Sequence, residues 1–309
     1  MPLRQNSSVQ TGYRLVRLRN GACSVRALAE DETFHPGIGP AAEAEALYVR
    51  QLRLAERVRE TSGEFIIWDV GLGAAATALT AIRLTAGRLD GQPARLRLVS
   101  FDRTSDAAAF ALEHGHELGY LAGFAAPLAE LIQTHAVQFI AGSLQVGWTL
   151  KIGDFPAWIT GGRRGDEAQT EKSEIGNRKS EIAPHAILFD PHSPKKNPAM
   201  WTAALFAGLF QRLDPRRPCA LATFTRSTLA RTALLLGGFF VGVGHPSGLK
   251  EETTVAANRP ELAGELLDRR WLERADRSDS AEPLAGPVYR RAPLSAETRE
   301  RLRCHPQFR

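Results

Sequence analysis

Short apolar runs alternate along the chain with stretches in which apolar residues recur at helical spacing. The runs typical of buried strands lie at 64–70, 96–102, 144–154, 186–190 and 219–225. The helical stretches lie at 74–87, 105–117, 120–135, 200–213 and 226–238. Strands that alternate with helices predict an α/β fold built on a doubly wound, mostly parallel sheet.

The N-terminal region departs from this alternation. The segments "YRLVRL" (13–18) and "ACSVRAL" (22–28) flank Asn20-Gly21, a dipeptide favoured in two-residue hairpin turns. They predict a small β-hairpin extension over residues 1–35. The stretch 41–60 follows, and its strong helix formers predict a helix.

The C-terminal region predicts that the sheet does not end in a parallel strand. "FFVGVG" (239–244) and "KEETTVAAN" (250–258) are expected to form a closing pair of strands, with an antiparallel strand inserted at the sheet edge. A helix is expected over 260–275 and an irregular, wrapping chain after it. The expected division is therefore a main domain and a C-terminal helix with a tail, at 36–260 and 261–309.

One internal segment has the composition of a disordered loop. Residues 160–185 are polar and charged, and they contain the tetrapeptide "KSEI" twice, at 172–175 and 179–182. Such a composition cannot bury enough apolar surface to order itself. We expect a disordered insert at about 161–184 within the main domain.

The bulk composition narrows the function classes. The chain has 309 residues, of which 43% are hydrophobic, so a sizeable core is available. It has no apolar run of about 18 residues and no apolar signal core at its start, so we expect neither a membrane span nor export. Three widely separated cysteines suit the cytoplasm and predict no metal site. The formal charge of +5 is compatible with a polyanionic partner such as RNA but does not require one.

Glycines and carboxylates follow the predicted strands. Gly71 and Gly73 come directly after the first strand, and Asp102, Asp154 and Asp190 come at or just after the ends of the next three. Because the carboxyl ends of parallel strands meet at one edge of a sheet, these groups are expected to line one crevice. Glycines let a backbone approach a ligand closely, and a carboxylate can accept both hydroxyls of a ribose. The pattern predicts a nucleoside-binding site.

Two alternatives stay open on these residues. Gly71, Gly73 and Ala76 also fit the G-x-G-x-x-A pattern of nicotinamide dinucleotide binding, although Asp154 and Asp190 would repel a pyrophosphate. Asp154 precedes Phe155-Pro156, so a helix cap is the alternative to a binding role for it.

The loop after the fourth strand, "DPHSPKKNPAMW" (190–201), carries a specific pattern. It resembles the D-G-F-x-P-x-K-N-P-x-M-W motif of MnmC-type methyltransferases, which make 5-methylaminomethyl-2-thiouridine at the wobble position of tRNA. Further matches cover most of the chain, from about 35 to 260. They are "ATFT" (222–225), Lys250-Glu251-Glu252, Gly71-Leu72-Gly73, Asp102, Gly153-Asp154, and Glu45 ahead of Tyr48-Val49.

The resemblance implies a Rossmann-like class I methyltransferase fold and S-adenosylmethionine as methyl donor. It implies cofactor contacts from Glu45, Gly71, Leu72, Gly73, Asp102, Gly153 and Asp154. Asp190 would be the catalytic residue, which orients the acceptor amine and acts as a general base second. Acceptor contacts would come from His192, Lys195, Lys196 and Asn197, although both lysines and His192 also suit a solvated loop.

The implied function is N-methylation of the aminomethyl group of 5-aminomethyl-2-thiouridine in tRNA. A separate FAD-dependent oxidase in the same pathway is a possible partner. Two departures from the family pattern are present: Pro191-His192 stands where the family has Gly-Phe, and Ala75 where it has a third glycine. The first of them concerns the wall of the acceptor pocket. A methyltransferase with a different nucleotide or small-molecule acceptor is therefore the alternative, followed by a nicotinamide-dependent oxidoreductase and a non-catalytic RNA-binding protein.

Overall fold

The computed structural model describes residues 12–161, 183–248 and 250–309, which form two sheets. The small antiparallel sheet near the N-terminus consists of β1 (Tyr13–Arg17), β2 (Cys23–Ala27) and β3 (Glu32–Thr33). The main sheet consists of β4 (Glu64–Val70), β5 (Ala94–Asp102), β6 (Ala136–Ala141), β7 (Leu144–Ile152), β8 (Ala186–Phe189), β9 (Ala220–Thr223), β10 (Phe240–Gly244), β11 (Thr253–Ala257) and β12 (Glu265–Leu266).

The main sheet has the order β12-β10-β11-β9-β8-β4-β5-β7-β6. Strands β7, β5, β4, β8 and β9 are parallel, while β11 pairs antiparallel with both β9 and β10. The chain runs outward from β4 to β7 and then restarts at β8 on the other side of β4. The predicted doubly wound sheet with an antiparallel C-terminal strand is confirmed, and its switch point lies between β4 and β8.

Eleven α-helices lie in the described ranges. They are α1 (Pro40–Ala44), α2 (Leu54–Glu60), α3 (Ala76–Ala86), α4 (Asp106–Glu113), α5 (Gly115–Leu118), α6 (Ala125–Thr134), α7 (Phe155–Thr160), α8 (Ala203–Gln211), α9 (Thr228–Leu236), α10 (Arg269–Asp276) and α11 (Ala296–Arg303). A π-helical turn spans Glu45–Arg50, and 3₁₀ turns span Pro198–Trp201, Pro260–Leu262 and Pro306–Phe308. In this part of the chain no helix is long and apolar enough to cross a membrane.

Both faces of the main sheet are buried, which explains why β4 reads as one continuous apolar run. Phe65 and Ile67 point into a core covered by α1 to α6. The alternate residues Ile66, Trp68 and Val70 point into a second core covered by α7 to α11. Because successive side chains of a strand face opposite ways, a strand between two helical layers must be apolar throughout.

The structure differs from the sequence-based expectation at β6. This edge strand pairs antiparallel with β7 and fully buries only Val137, while Gln138 and Ile140 are exposed. Such a pattern lacks the continuous apolar run by which the other strands were predicted. The predicted third strand also ends earlier, at Ile152.

The helix expected over 41–60 is interrupted. Residues 45–50 form the π-helical turn, and Arg53 adopts a left-handed φ of 50° before α2 begins. The extra residue in a π turn changes which side chains share a face. As a result Glu43 and Tyr48 are buried together.

The C-terminal region differs as well. The helix expected over 260–275 begins only at Arg269, because Gly264 turns the chain with a φ of 64° and β12 follows it. Helix α11 was not predicted. The irregular chain between α10 and α11 buries Leu284 and Leu294 against the second core.

The predicted N-terminal hairpin is formed by β1 and β2, with Tyr13 opposite Ala27. The predicted insert at about 161–184 lies, except at its ends, outside the described residues. The proposed domain boundaries at 36 and 260 stay predictions.

The loop between β4 and α3 holds three residues with positive φ: Gly71 (99°), Gly73 (49°) and Ala75 (63°). Ala75 stands at the position where the family pattern has its third glycine. A non-glycine residue in the left-handed region costs about 1–2 kcal/mol. The loop therefore keeps its glycine-type conformation at Ala75 at a cost in stability.

We expect Ala75→Gly to leave the free energy of unfolding within about 0.5 kcal/mol of the wild type, because relief of the left-handed strain offsets the lost methyl and the greater freedom of the unfolded chain. The matched control is Ala81→Gly, in the middle of α3 and equally buried. It should lose about 1 kcal/mol or more. Urea denaturation measures both, and equal losses would contradict the strain at Ala75.

Candidate active site

A cavity of about 740 Å³ opens at the carboxyl ends of the central strands. The loops that follow β4, β5, β7 and β8 line it, together with residues 30–37 in and after the small sheet, Glu43 and Lys250. Its size suits a drug-sized ligand, and it lies at the switch point, where ligands bind in open α/β sheets.

Gly71 sets the distance between the two sides of the switch point. A Cβ at this position would lie 2.7 Å from the carbonyl oxygen of Asp190 and 3.1 Å from the nitrogen of Pro191. These are backbone atoms and cannot rotate away. The glycine is required here because the loop after β4 passes directly against the loop after β8.

Asp102 is the last residue of β5, and both of its carboxylate oxygens accept hydrogen bonds. Its Oδ2 accepts a hydrogen bond from the backbone nitrogen of Gly73 at 2.8 Å, and its Oδ1 accepts one from that of Arg103 at 2.7 Å. Burial raises the pKa of Asp102, and these two hydrogen bonds oppose the rise. Each oxygen keeps a lone pair for a hydroxyl donor in the cavity.

Asp190 follows β8, and its side chain is 12% exposed. Its Oδ2 accepts a hydrogen bond from Thr77 Oγ1 at 2.9 Å and lies 3.6 Å from His35 Nε2. Burial raises the pKa of Asp190, while His35, Thr77, Tyr48 and Lys250 oppose the rise. The carboxylate is thus fixed on one side and faces the cavity.

Asp154 lies at the edge of this arrangement. Its Oδ1 accepts a hydrogen bond from the nitrogen of Ala157 at 2.7 Å and caps α7, and its Oδ2 lies 3.4 Å from Arg103. Gly153 lines the cavity, but Asp154 does not. The cap that the sequence left open is observed, and a contact of Asp154 with the cofactor stays a prediction.

Glu45 lies outside the cavity. Its Oε1 accepts hydrogen bonds from Arg50 at 2.9 Å and Arg88 at 3.1 Å. The carboxylate that reaches the cavity from this segment is Glu43, which is 6% exposed. The π-helical turn puts Glu43 on the same buried face as Tyr48, and a cofactor contact of Glu45 stays a prediction.

Glu43 was missed by the sequence analysis and has an incomplete set of partners. Its Oε2 is buried and accepts no hydrogen bond from any described residue. Burial raises the pKa of Glu43, and the neighbouring His35 and Lys250 oppose the rise. A buried carboxylate oxygen beside a cavity can be satisfied by a cationic or donor-bearing ligand.

Most of the predicted acceptor residues border the cavity. His192, Lys196 and Asn197 line it, while Lys195 is exposed outside it. Glu32 on β3 anchors this loop, because its carboxylate accepts from Ser193 N at 3.2 Å and from Ser193 Oγ at 3.0 Å. The small sheet and the loop after β8 therefore form one wall of the cavity.

A further carboxylate, Asp69 on β4, is completely buried beneath the site. Its Oδ2 accepts from Ser100 Oγ at 2.6 Å, and Ser100 Oγ in turn accepts from Trp148 Nε1 at 2.8 Å. Its Oδ1 accepts no hydrogen bond from the described residues. Burial raises the pKa of Asp69 to about 7.

The chain is similar to known methyltransferases. A family described as S-adenosyl-L-methionine-dependent methyltransferase matches residues 173–259. The tRNA 5-methylaminomethyl-2-thiouridine biosynthesis bifunctional protein MnmC of Aeromonas hydrophila is 27% identical over 243 residues, which cover 75% of this chain and 33% of that protein. The protein of the same name from Aeromonas salmonicida is 25% identical over 239 residues, 74% of this chain and 32% of that protein.

The structural comparison supports the fold. MnmC2 of Aquifex aeolicus superposes with a TM-score of 0.64 at 20% identity, over 95% of this chain and 84% of that one. The chain spans about a third of the length of the curated relatives it matches. Together these findings confirm the predicted methyltransferase fold, the predicted S-adenosylmethionine dependence and the predicted similarity to MnmC.

The cavity residues fit S-adenosylmethionine. The molecule carries a sulfonium, an ammonium group and ribose hydroxyls, and the cavity offers Asp102, Asp190 and the unsatisfied Glu43 carboxylate. Carboxylates attract such cations and repel a pyrophosphate, which disfavours the nicotinamide alternative.

We expect Asp102→Ala to weaken the binding of S-adenosylhomocysteine by about 1–3 kcal/mol, because ribose hydroxyls would lose their acceptor and Gly73 its partner. Asp102→Asn, which keeps one acceptor oxygen, should lose less. Isothermal calorimetry measures both affinities. An unchanged affinity in Asp102→Ala would remove this side chain from the site.

We expect the stability of the protein to depend on pH through Asp69. Since the folded-state pKa of Asp69 is raised, its protonated form favours folding below the unfolded pKa of about 4, and this contribution is lost as the pH rises through about 7. The free energy of unfolding of the wild type relative to Asp69→Asn should therefore fall between pH 4 and pH 8, by on the order of 1 kcal/mol or more. Urea unfolding of both proteins at the two pH values measures it, and parallel pH dependences would refute it.

Proposed function

We propose that this S-adenosylmethionine-dependent methyltransferase, which is of the MnmC type, methylates the amino nitrogen of 5-aminomethyl-2-thiouridine at the tRNA wobble position. Asp190 carries the proposal. Its carboxylate is fixed by Thr77, faces the cavity and lies against the glycine loop that follows β4. The names of the two curated relatives, which connect them with 5-methylaminomethyl-2-thiouridine in tRNA, support this acceptor.

Bound S-adenosylmethionine supplies an electrophilic methyl group. We assign its binding to Gly71, Leu72, Gly73, Asp102 and Gly153, and we assign to Glu43 the contact that the sequence had given to Glu45. In-line displacement requires alignment of the acceptor more than covalent help. Asp190 is placed to accept a hydrogen bond from the amine and to aim the nitrogen lone pair at the methyl group.

The acceptor pocket has an aromatic wall of unusual composition. His192 occupies the position of the Phe in the family motif, and its ring lies 5.5 Å from that of Phe34, which the small sheet delivers to the cavity. Either ring can stack on a pyrimidine. Phe34 thus supports a base-binding role for this wall even though the family's Phe is absent.

Cations surround the mouth of the cavity and support a tRNA partner. Arg103 and Lys196 line the cavity with exposed side chains, and Lys195 is exposed next to them. One or more of them would contact phosphates. We further propose a cytoplasmic location and an FAD-dependent oxidase activity, separate from this domain, that supplies the aminomethyl acceptor.

The Pro191-His192 departure supports a second candidate, a methyltransferase with another amine-bearing nucleotide as acceptor. It shares the cofactor site and the role of Asp190. The two candidates differ in the base that contacts His192 and Phe34, so direct assay of the tRNA separates them.

We expect Asp190→Ala to keep the fold and most of the cofactor affinity while methyl transfer falls by at least about 100-fold, because the contact matters most in the aligned complex. Asp190→Asn keeps the size of the side chain and an acceptor oxygen, and substantial activity in Asn with none in Ala would favour orientation over proton removal. The assay is methyl transfer to tRNA that carries 5-aminomethyl-2-thiouridine, read by nucleoside mass spectrometry. Normal activity in Asp190→Ala would refute the role, and an inactive wild type that binds the donor would refute the tRNA acceptor.

A further inference from the structure

His35 reaches the reaction site from outside the main sheet. It lies between β3 and α1, and its backbone adopts a left-handed φ of 47°. Its side chain is 12% exposed, lines the cavity and places Nε2 at 3.6 Å from Asp190 Oδ2. A non-glycine residue in a sparsely populated backbone conformation costs stability and is found often at functional sites. No motif in the sequence singled out this histidine.

The acceptor amine creates a proton problem that Asp190 does not solve. An alkylamine is mostly protonated at neutral pH, and only its neutral form has a lone pair for attack. The carboxylates of Asp190 and Glu43 favour the protonated amine. Attack therefore requires a base within reach of the amine.

Of the charged and titratable groups described on this side of the cavity, His35 is the one available as the base. Lys250 is occupied, since Nζ donates to the carbonyl oxygen of Phe224 at 3.0 Å and lies 4.4 Å from the centre of its ring. His192 faces Glu32, with Nδ1 3.8 Å from Oε2. The remaining groups that face this region are Glu43 on α1, Tyr48 in the π-helical turn and Asp190 after β8.

We propose that His35 accepts the proton that the acceptor amine loses, with Asp190 and Glu43 stabilising the imidazolium that forms. The step rests on the proposed function. The ammonium gives its proton to the neutral imidazole, and the freed nitrogen forms a bond to the methyl carbon. The carbon–sulfur bond breaks and the sulfur keeps its electron pair. The new secondary ammonium carries the positive charge, and His35 returns its proton to solvent when the products leave.

The test compares the pH dependence of methyl transfer in the wild type, His35→Gln and His192→Gln. Single-turnover rates are measured from pH 6 to pH 9 with saturating donor and tRNA that carries 5-aminomethyl-2-thiouridine. His35→Gln should lose about 100-fold at pH 7. It should recover toward the wild-type rate as the pH approaches 9, because a larger fraction of the amine is then neutral without help. His192→Gln should change KM and leave the shape of the pH profile as in the wild type.

A second variant separates proton transfer from a structural role. His35→Ala should bind S-adenosylhomocysteine within about threefold of the wild type, and added imidazole should restore part of its rate at pH 7. A uniform loss at every pH, an unchanged profile, or loss of S-adenosylhomocysteine binding in both His35 variants would overturn the proposal. A failure of the proposed function gives a different result, because the wild type itself would then methylate no such tRNA. The acceptor ammonium, from which His35 is proposed to take the proton, would be refuted together with it.

Discussion

The contact between Gly71 and the backbone of Asp190 governs the whole site. It lies where the strand order reverses, and there a Cβ would stand 2.7 Å from a carbonyl oxygen. Because the two loops touch, the glycine loop and the Asp190 carboxylate border the same cavity. The chain cannot open this contact without separating the ends of β4 and β8, whose ladder joins Val70 to Phe189. The sheet itself thereby keeps the glycine loop and the Asp190 carboxylate at a constant separation.

The second constraint is electrostatic. Four carboxyl groups lie at or below this point: Asp69 and Glu43 are buried, and Asp102 and Asp190 are partly buried. Burial raises the pKa of each. A protein tolerates such a cluster when hydrogen bonds and cations offset the desolvation. Some of that compensation comes from the protein, through backbone amides and the Thr77 hydroxyl. The unsatisfied oxygen of Glu43 leaves the rest to a bound cation. The carboxylates of the cavity therefore already favour the binding of positively charged ligands.

The sequence predicted what depends on local pattern. Continuous apolar runs between helices revealed the doubly wound sheet, and the motif that starts at Asp190 led to the proposed reaction centre. Glu43 and His35 could not be found in this way. Glu43 reaches the cavity because a π-helical turn shifts the face of its helix, whereas the family resemblance pointed to Glu45. His35 reaches it because the small sheet folds back onto residues far away along the chain. The edge strand β6 was missed for a simpler reason, since it buries too little to show a strand pattern.

The small sheet also affects the order in which the walls of the cavity can form during synthesis of the chain. Its link to the loop after β8 runs from Glu32 to Ser193, across 161 positions of the chain. A ribosome makes Glu32 long before its partner Ser193, which follows it by 161 positions. Phe34 and His35 therefore cannot join this wall until the loop after β8 has been made. The glycine loop and its partner Asp102 are both synthesised before that loop, so the acceptor side of the cavity depends on a later part of the chain than the donor loop does.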